Sequence, residues 1–203
     1  MADRVPIPGG RDVRATLDGP ADAPALVVAC PPHPQMGGSR TDSRLTAVAD
    51  TLATRSIATL RFDYGTWDEG YGEVSDAVAA CRWARERYDR VGLFGYSFGG
   101  GVAILAAPEA KPDALSALAP AATIGDRDVA AAVADVVVPM QVLVGDRDET
   151  VAWRSVFEAA RERSATVECV DGDHFFVGQR DRIARTVASW LASELEAESP
   201  GGP

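Results

Sequence analysis

The feature that most constrains the fold of this sequence is an alternation of short apolar runs with longer amphipathic ones. Most of the short runs are continuously apolar, which is typical of strands covered on both faces. The predicted strands span residues 13–17, 25–30, 57–62, 91–94, 115–119, 140–144 and 166–170. The predicted helices span residues 41–54, 72–87, 98–107, 129–135, 152–163 and 181–196. This alternation predicts an α/β fold, in which a mostly parallel, twisted sheet carries helices on both faces and sites form beyond the carboxyl ends of the strands.

The length and charge of the chain limit the kinds of protein it can be. Its 203 residues fit one domain, which we expect to span residues 1–198, with residues 199–203 as a frayed tail. The net charge of −10 disfavours nucleic acid and anionic membranes as main partners. Lys111 is the only lysine among the 20 basic residues. An acidic, lysine-poor composition indicates either a high-salt cytoplasm or a GC-rich genome, and the sequence leaves both open.

The cysteines and the apolar segments bear on the location of the protein. Cys30, Cys81 and Cys169 are odd in number and far apart, so neither a disulfide nor a zinc site is expected. Residues 1–10 contain no apolar core of a signal peptide, and no run of about 18 apolar residues is present to span a membrane. We therefore expect a cytoplasmic protein that does not enter the membrane. Its expected oligomeric state is a monomer or a homodimer.

The sequence G-Y-S-F-G-G at residues 95–100 follows an apolar strand and precedes an apolar helix. It matches G-x-S-x-G, the pattern of a serine nucleophile on a sharp strand-to-helix turn. Such a turn holds Ser97 in a strained backbone conformation, and only small residues two positions to either side avoid a clash, a requirement that Gly95 and Gly99 meet. The alternative is an ordinary glycine-rich turn.

A serine nucleophile needs a base, and the base needs an orienting carboxylate. His33 and His174 are the two histidines of the chain. His174 follows the last predicted strand, which places it at the strand ends where the serine emerges. The loop after the preceding strand offers three acids, Asp146, Asp148 and Glu149. The resulting chain order of serine, acid and histidine is the order expected for the nucleophile-elbow fold.

With the sequence P-P-H-P-Q-M-G-G-S at residues 31–39, these motifs resemble the α/β-hydrolase superfamily, and in particular the small, lidless proteins related to dienelactone hydrolase. The resemblance implies an α/β-hydrolase fold with a minimal cap or none. Only residues 120–139 separate the two strands between which relatives with large lids insert a subdomain. In the family the orienting acid lies in G-x-x-D-x-x-V. That pattern maps onto Gly145, Asp148 and Val151, so the resemblance implies Asp148, with Asp146 as the alternative and Glu149 less favoured.

The same resemblance implies that the loop at residues 31–39 shapes an oxyanion hole, which needs two backbone N–H groups. One is expected from Phe98, the residue after the nucleophile. Pro34 has no N–H, so Gln35 is the expected second donor, and the N–H of Met36 is the next alternative. His33 is expected to hold this loop by hydrogen bonds, with a direct substrate contact as the alternative.

The predicted substrate pocket includes a stretch that departs from the family pattern. After the strand at 57–62, many relatives carry an Arg-Gly-x-Gly-x-Ser turn, whereas this chain has D-Y-G-T-W-D-E-G-Y-G at residues 63–72. Its aromatic residues either form a pocket wall or fold onto the helix below, with a solvated loop around them. The candidate pocket residues are His33, Met36, Tyr64, Trp67, Tyr71 and Phe175.

These observations predict a serine hydrolase that cleaves a carboxylic ester or a related small acyl substrate through Ser97, His174 and Asp148. No metal and no cofactor are called for. A thioesterase or acyltransferase using the same residues is one alternative. A non-catalytic binding protein on the same fold is another, because a fold does not fix a function.

Overall fold

The computed structural model describes residues 3–9 and 11–196. Its main sheet has eight strands in the order β1-β2-β4-β3-β5-β6-β9-β10, and β7 and β8 form a two-stranded ribbon. The strands are β1 (Asp3–Ile7), β2 (Val13–Asp18), β3 (Ala25–Cys30), β4 (Ile57–Asp63), β5 (Arg90–Tyr96), β6 (Ala114–Leu118), β7 (Thr123–Ile124), β8 (Arg127–Asp128), β9 (Met140–Gly145) and β10 (Thr166–Val170). The helices are α1 (Ser43–Ala53), α2 (Tyr71–Arg85), α3 (Phe98–Ala110), α4 (Val129–Ala132), α5 (Arg154–Glu162) and α6 (Arg180–Glu196). Short 3-10 turns cover Pro34–Met36 and Val133–Asp135.

The predicted mostly parallel sheet is confirmed. Strands β4, β3, β5, β6, β9 and β10 run parallel to one another, and β2 joins β4 in antiparallel orientation. Strand β1, which the sequence did not predict, pairs antiparallel with β2 at the sheet edge. It contains Pro6, a residue that sheets accept at their edges because it cannot donate to a neighbouring strand.

Helices cover both faces of the sheet, as predicted. Helix α1 begins at the N-cap Asp42 and buries Leu45, Val48 and Leu52 against α6, which contributes Val187 to the same core layer. The opposite face carries α2, α3 and α5 over a second apolar layer. Strands such as β3 and β9 are buried along their whole length because both of their faces are covered.

The parallel strands place the loops after β3, β4, β5, β9 and β10 at one edge of the sheet. Residues 119–139, between β6 and β9, hold only the short ribbon, α4 and a 3-10 turn, so the expected minimal cap is confirmed. No helix within the described ranges is long and apolar enough to cross a membrane. The frayed tail expected at residues 199–203 lies outside the described residues.

Candidate active site

Ser97 stands on a strained turn between β5 and α3. Its backbone has φ 59° and ψ −120°, a conformation that non-glycine residues rarely adopt. Backbone hydrogen bonds hold it there: its N–H donates to Leu118 at 2.8 Å, and its carbonyl accepts the N–H of Gly100 at 2.9 Å. A Cβ at Gly95 would overlap the carbonyl of Gly99, and a Cβ at Gly99 would overlap the carbonyl groups after β3. Both glycines are therefore required by close backbone approach.

Ser97, His174 and Asp148 come together in one hydrogen-bonded chain. Nε2 of His174 lies 2.9 Å from Oγ of Ser97, and Nδ1 lies 2.6 Å from Oδ2 of Asp148. The side chain of His174 is 4% exposed and that of Asp148 is fully buried, whereas Ser97 is partly exposed in the cleft. This arrangement can polarise the serine hydroxyl towards a bound electrophile.

Asp148 and Asp146, the two aspartates that the sequence offers as partners of His174, form different hydrogen bonds in the structure. Oδ1 of Asp148 accepts the backbone N–H groups of Thr150 and Val151, at 2.9 and 3.2 Å, which leaves Oδ2 for His174. Asp146 turns the other way, and its Oδ1 accepts the N–H of Gly172 at 3.1 Å. Asp148 therefore orients the imidazole, while Asp146 ties the loop after β9 to the loop after β10.

Tyr96 contacts His174 through a hydrogen bond and through its ring. Its hydroxyl donates to the backbone carbonyl of His174 at 3.1 Å, and the two rings lie 5.4 Å apart. Burial raises the pKa of Tyr96 well above its ordinary value, so the phenol stays protonated and remains a donor. The histidine is thus held through its ring by Asp148 and through its backbone by Tyr96.

The loop predicted to shape an oxyanion hole turns tightly beside Ser97. Phe98 is the first residue of α3, so its N–H has no intrahelical acceptor. The N–H of Gln35 donates to Nδ1 of His33 at 3.3 Å and so already has an acceptor. The N–H of His33 forms no hydrogen bond within the described residues. His33 thus offers a further backbone donor, in addition to the predicted N–H groups of Phe98 and Gln35.

His33 packs against two aromatic rings that also contact each other. Its ring lies 4.7 Å from the rings of both Trp67 and Phe98, and the latter two are 5.8 Å apart. Burial lowers the pKa of His33, against a smaller opposing effect from the charge of Glu73. A neutral ring whose Nδ1 accepts from Gln35 carries its proton on Nε2. The expected loop-holding role of His33 agrees with these contacts.

A cleft of about 550 Å³ opens over Ser97 and His174. Of the predicted pocket residues, His33, Met36, Trp67 and Phe175 line it. Met36 is 81% exposed and Phe175 is 53% exposed, so they form an apolar rim at the mouth of the cleft. Trp67 lies deeper, against the ring of Phe98.

Two predicted pocket residues, Tyr64 and Tyr71, do not line the cleft. Tyr64 is buried beneath it, where its hydroxyl donates to the carbonyl of Pro31 at 3.1 Å. Tyr71 begins α2 on the outer surface, hydrogen-bonded to Asp126 and covered by the guanidinium of Arg127. The loop after β4 therefore contributes one ring to the cleft rather than three.

Buried charges at the start of α2 explain the path of that loop. Glu73 accepts the N–H groups of Asp68 and Gly70 at 3.0 and 2.7 Å, and Asp76 accepts the N–H of Gly65 at 2.9 Å. Arg11, from the loop before β2, binds Asp76 at 2.7 Å and donates to the carbonyl of Thr66. These contacts fix the backbone on both sides of Trp67 and direct its ring towards His33.

Several cleft residues were not anticipated from the sequence. They are Pro32, Gly37, Gly38, Asp42, Arg44, Tyr96, Ala121, Thr123, Ile124, Gly125, Thr150 and Val151. Asp42 and Arg44 form a charged pair at the start of α1. The signal that could have identified them is their position directly after the P-H-P loop, since residues that follow an oxyanion loop face the same strand ends.

The cysteines add no nucleophile to this cleft. Cys30 and Cys81 are fully buried, and burial raises the pKa of both thiols, that of Cys81 to about 12. Cys169 is exposed on the edge strand β10. No group of three or more histidine, cysteine or carboxylate side chains is arranged to hold a metal ion within the described part of the chain.

Comparisons with known proteins agree with this architecture. A lidless α/β serine hydrolase from Xanthomonas campestris is 27% identical, with a TM-score of 0.78 over 100% of this chain and 97% of the other. An α/β serine hydrolase homologue from Coxiella burnetii is 26% identical, with a TM-score of 0.79 over 94% and 97% of the two chains. Dienelactone hydrolase from Anabaena variabilis shares the fold at 22% identity, with a TM-score of 0.79 over 96% and 98%. A comparison with curated proteins returns no match.

The sequence also matches a family model over residues 61–182, which include the serine turn, Asp148 and His174. The family is described as X-Pro dipeptidyl-peptidase (S15 family). The match covers more than half of the chain, and the lidless α/β serine hydrolase from Xanthomonas campestris has the same fold. The chain therefore belongs to the S15 family, within the α/β-hydrolase superfamily.

Proposed function

We propose that this protein is a serine hydrolase that cleaves carboxylic esters or related small acyl compounds through an acyl-enzyme. The observation that carries the proposal is the hydrogen-bonded chain from Ser97 through His174 to Asp148, with distances of 2.9 and 2.6 Å. Ser97 and His174 line an open cleft, and an open cleft suits small or flexible substrates.

In the proposed mechanism, Oγ of Ser97 attacks the acyl carbon while Nε2 of His174 takes its proton. Asp148 holds the ring with Nδ1 protonated and stabilises the imidazolium that forms. The N–H of Phe98 and a second N–H from the loop at residues 33–35 stabilise the oxyanion. Gln35 supplies that second donor if its bond to His33 opens on substrate binding; the N–H of His33 is the alternative donor. His174 then protonates the leaving group, and water hydrolyses the acyl-enzyme by the same route.

The first test is covalent labelling with a fluorophosphonate probe, followed by turnover of p-nitrophenyl esters of increasing chain length. We expect one adduct, on Ser97, and measurable ester hydrolysis. Ser97→Ala should lose the adduct and lower kcat by about 10⁴-fold or more. A folded wild-type protein that forms no adduct and hydrolyses no ester would instead be a binding protein on a hydrolase fold.

The same assay separates the acyl classes. Acyl-thioesters of matched chain length test the thioesterase alternative, because both substrates share the acyl group and differ in the leaving atom. A p-nitroanilide of an X-Pro dipeptide belongs in the panel because the family takes its description from that activity. A kcat/KM for thioesters or for this anilide that exceeds the value for every ester would reassign the substrate class.

A further inference from the structure

A fixed pair of charges lines the cleft without a part in the proposed triad. Asp42 is the N-cap of α1 and accepts the backbone N–H of Arg44 at 2.8 Å. The same carboxylate accepts Nε of Arg44 at 2.9 Å and also pairs with Nη2. The two side chains are only 10% and 19% exposed. Asp42 therefore holds the guanidinium in one orientation against the cleft wall.

One nitrogen of this guanidinium has no partner in the part of the chain that the structure describes. Nη1 of Arg44 finds no acceptor within the described residues, and it is not buried from solvent. The guanidinium lies over the ring of Tyr96, 4.5 Å from its centroid, which restricts it further. Arg44 thus presents a pre-oriented donor at the cleft, at little entropic cost to a ligand that accepts from it.

The position of Arg44 relates it to one part of the substrate. Tyr96 contacts both Arg44 and His174: its ring centroid lies 4.5 Å from Cζ of Arg44 and 5.4 Å from the ring centroid of His174. The guanidinium and the imidazole therefore pack against the same tyrosine ring in the wall of the cleft. His174 returns its proton to the leaving group, so a leaving group bound at His174 lies in the part of the cleft that Arg44 also lines.

The local charge selects the kind of group that Arg44 can bind. Asp42 already neutralises the positive charge of the guanidinium, and the whole protein carries a net charge of −10. A carboxylate would gain little attraction here. An uncharged carbonyl oxygen needs only one donor and gains a hydrogen bond assisted by the charge of the guanidinium.

We propose that Arg44 is a specificity residue whose Nη1 donates a hydrogen bond to an uncharged oxygen, such as a carbonyl, in the leaving group. This inference rests on the proposed function, because it takes His174 as the acid that protonates the leaving group. It names the substrate class more closely: small esters whose alcohol or phenol part carries a hydrogen-bond acceptor.

The test compares substrates that differ in that acceptor alone. Each of 2-, 3- and 4-acetylphenyl acetate is paired with the isopropylphenyl acetate of the same substitution, which has a similar shape and no acceptor. The ratio of kcat/KM within each pair is measured for the wild type and for Arg44→Met. Differences in phenol reactivity are the same for both enzymes and cancel. For the isomer that reaches Nη1, Arg44→Met should lower the ratio by about tenfold, the effect of one hydrogen bond to a charged group.

Three further variants serve as controls and as a second test. Arg55→Met removes an arginine that follows α1 and binds Oγ of Ser189 away from the cleft, so the ratios should not change. Arg44→Lys keeps the charge but loses the planar donor, and it should also lower the ratio. Asp42→Asn keeps the cap oxygen and leaves Arg44 uncompensated, so hydrolysis of 4-carboxyphenyl acetate should rise relative to 4-acetylphenyl acetate.

The outcomes separate this inference from the proposed function. Unchanged ratios for all three isomers in Arg44→Met, in an enzyme that still labels at Ser97, would overturn the role of Arg44 alone. A wild-type preference for the carboxyphenyl ester that Arg44→Met abolishes would replace the uncharged acceptor by an anionic one. If the wild type neither labels nor hydrolyses any ester, the proposed function and this inference are both wrong.

Discussion

The ring of His33 lies 4.7 Å from the ring of Phe98, so the loop after β3 and the first turn of α3 are in direct contact beside Ser97. Trp67 packs against both rings from the loop after β4. The backbone donors proposed for the oxyanion hole therefore lie on segments that are fixed relative to each other.

This packing makes stability depend on the protonation of His33. Burial lowers the pKa of His33, so below about pH 6.5 the unfolded chain binds a proton at this ring more readily than the folded protein does. The free energy of unfolding contributed by His33 therefore decreases as the pH falls from about 6.5, and stops changing below the folded-state pKa. In His33→Phe, which keeps an aromatic ring but cannot titrate, the free energy of unfolding should fall less between about pH 7 and pH 5. Urea unfolding at a series of pH values measures both proteins, and parallel curves would contradict the prediction.

Asp148 and Asp146 should differ sharply in their effect on catalysis. Asp148→Asn keeps an oxygen for the N–H groups of Thr150 and Val151 but no longer holds the correct tautomer of His174. We expect kcat to fall by about 10⁴-fold with the fold intact. Asp146→Asn is the matched control, since it keeps an acceptor for Gly172 and does not touch the histidine. A loss in the control as large as that in Asp148→Asn would reassign the triad acid.

The glycines around Ser97 should tolerate no side chain. Alanine at Gly95 would place Cβ on the carbonyl of Gly99, where no flexible side chain can move aside. We expect Gly95→Ala to lower the free energy of unfolding by about 3 kcal/mol or more. Gly178→Ala is the graded control: its φ of +74° is unfavourable for alanine, but no atom lies within 4 Å of the added Cβ, so the loss should be about 1 kcal/mol. Equal losses in thermal or urea unfolding would show that backbone conformation, not close approach, decides both sites.

Arg11 should be the most costly arginine to remove on the β2 side of the sheet. Arg11→Met leaves the buried carboxylates of Glu73 and Asp76 without their cation. Because Arg11 is itself partly exposed, we expect a loss of about 2–3 kcal/mol rather than the full cost of a broken buried pair. Arg14→Met is the matched control, since Arg14 pairs with Asp12 at the surface, and its melting temperature should not change. Two further measurements add to this test. The intrinsic tryptophan fluorescence, to which Trp67 contributes, and the rate of ester turnover should change in Arg11→Met but not in Arg14→Met.

The strand and helix pattern, the serine turn and the order of the candidate triad were predictable because each is encoded over a few neighbouring residues. Periodicity identified the buried strands, and two glycines at fixed positions marked the turn that Ser97 occupies. The antiparallel strand β1 was missed since an edge strand with one covered face and a proline carries little apolar pattern. The preference for Asp148 over Asp146 came from a family pattern, and local sequence could not have made it.

The sequence by itself thus determined which residues could do chemistry and at which end of the sheet they lie. Only the tertiary structure decided which of them meet. Trp67 reaches the cleft while Tyr64 and Tyr71 do not, because Arg11 and the acids of α2 hold the loop after β4. Arg44 faces the cleft because Asp42 and Tyr96 fix its guanidinium. Contacts of this kind join side chains from separate elements, and their geometry follows from how those elements pack rather than from any local pattern.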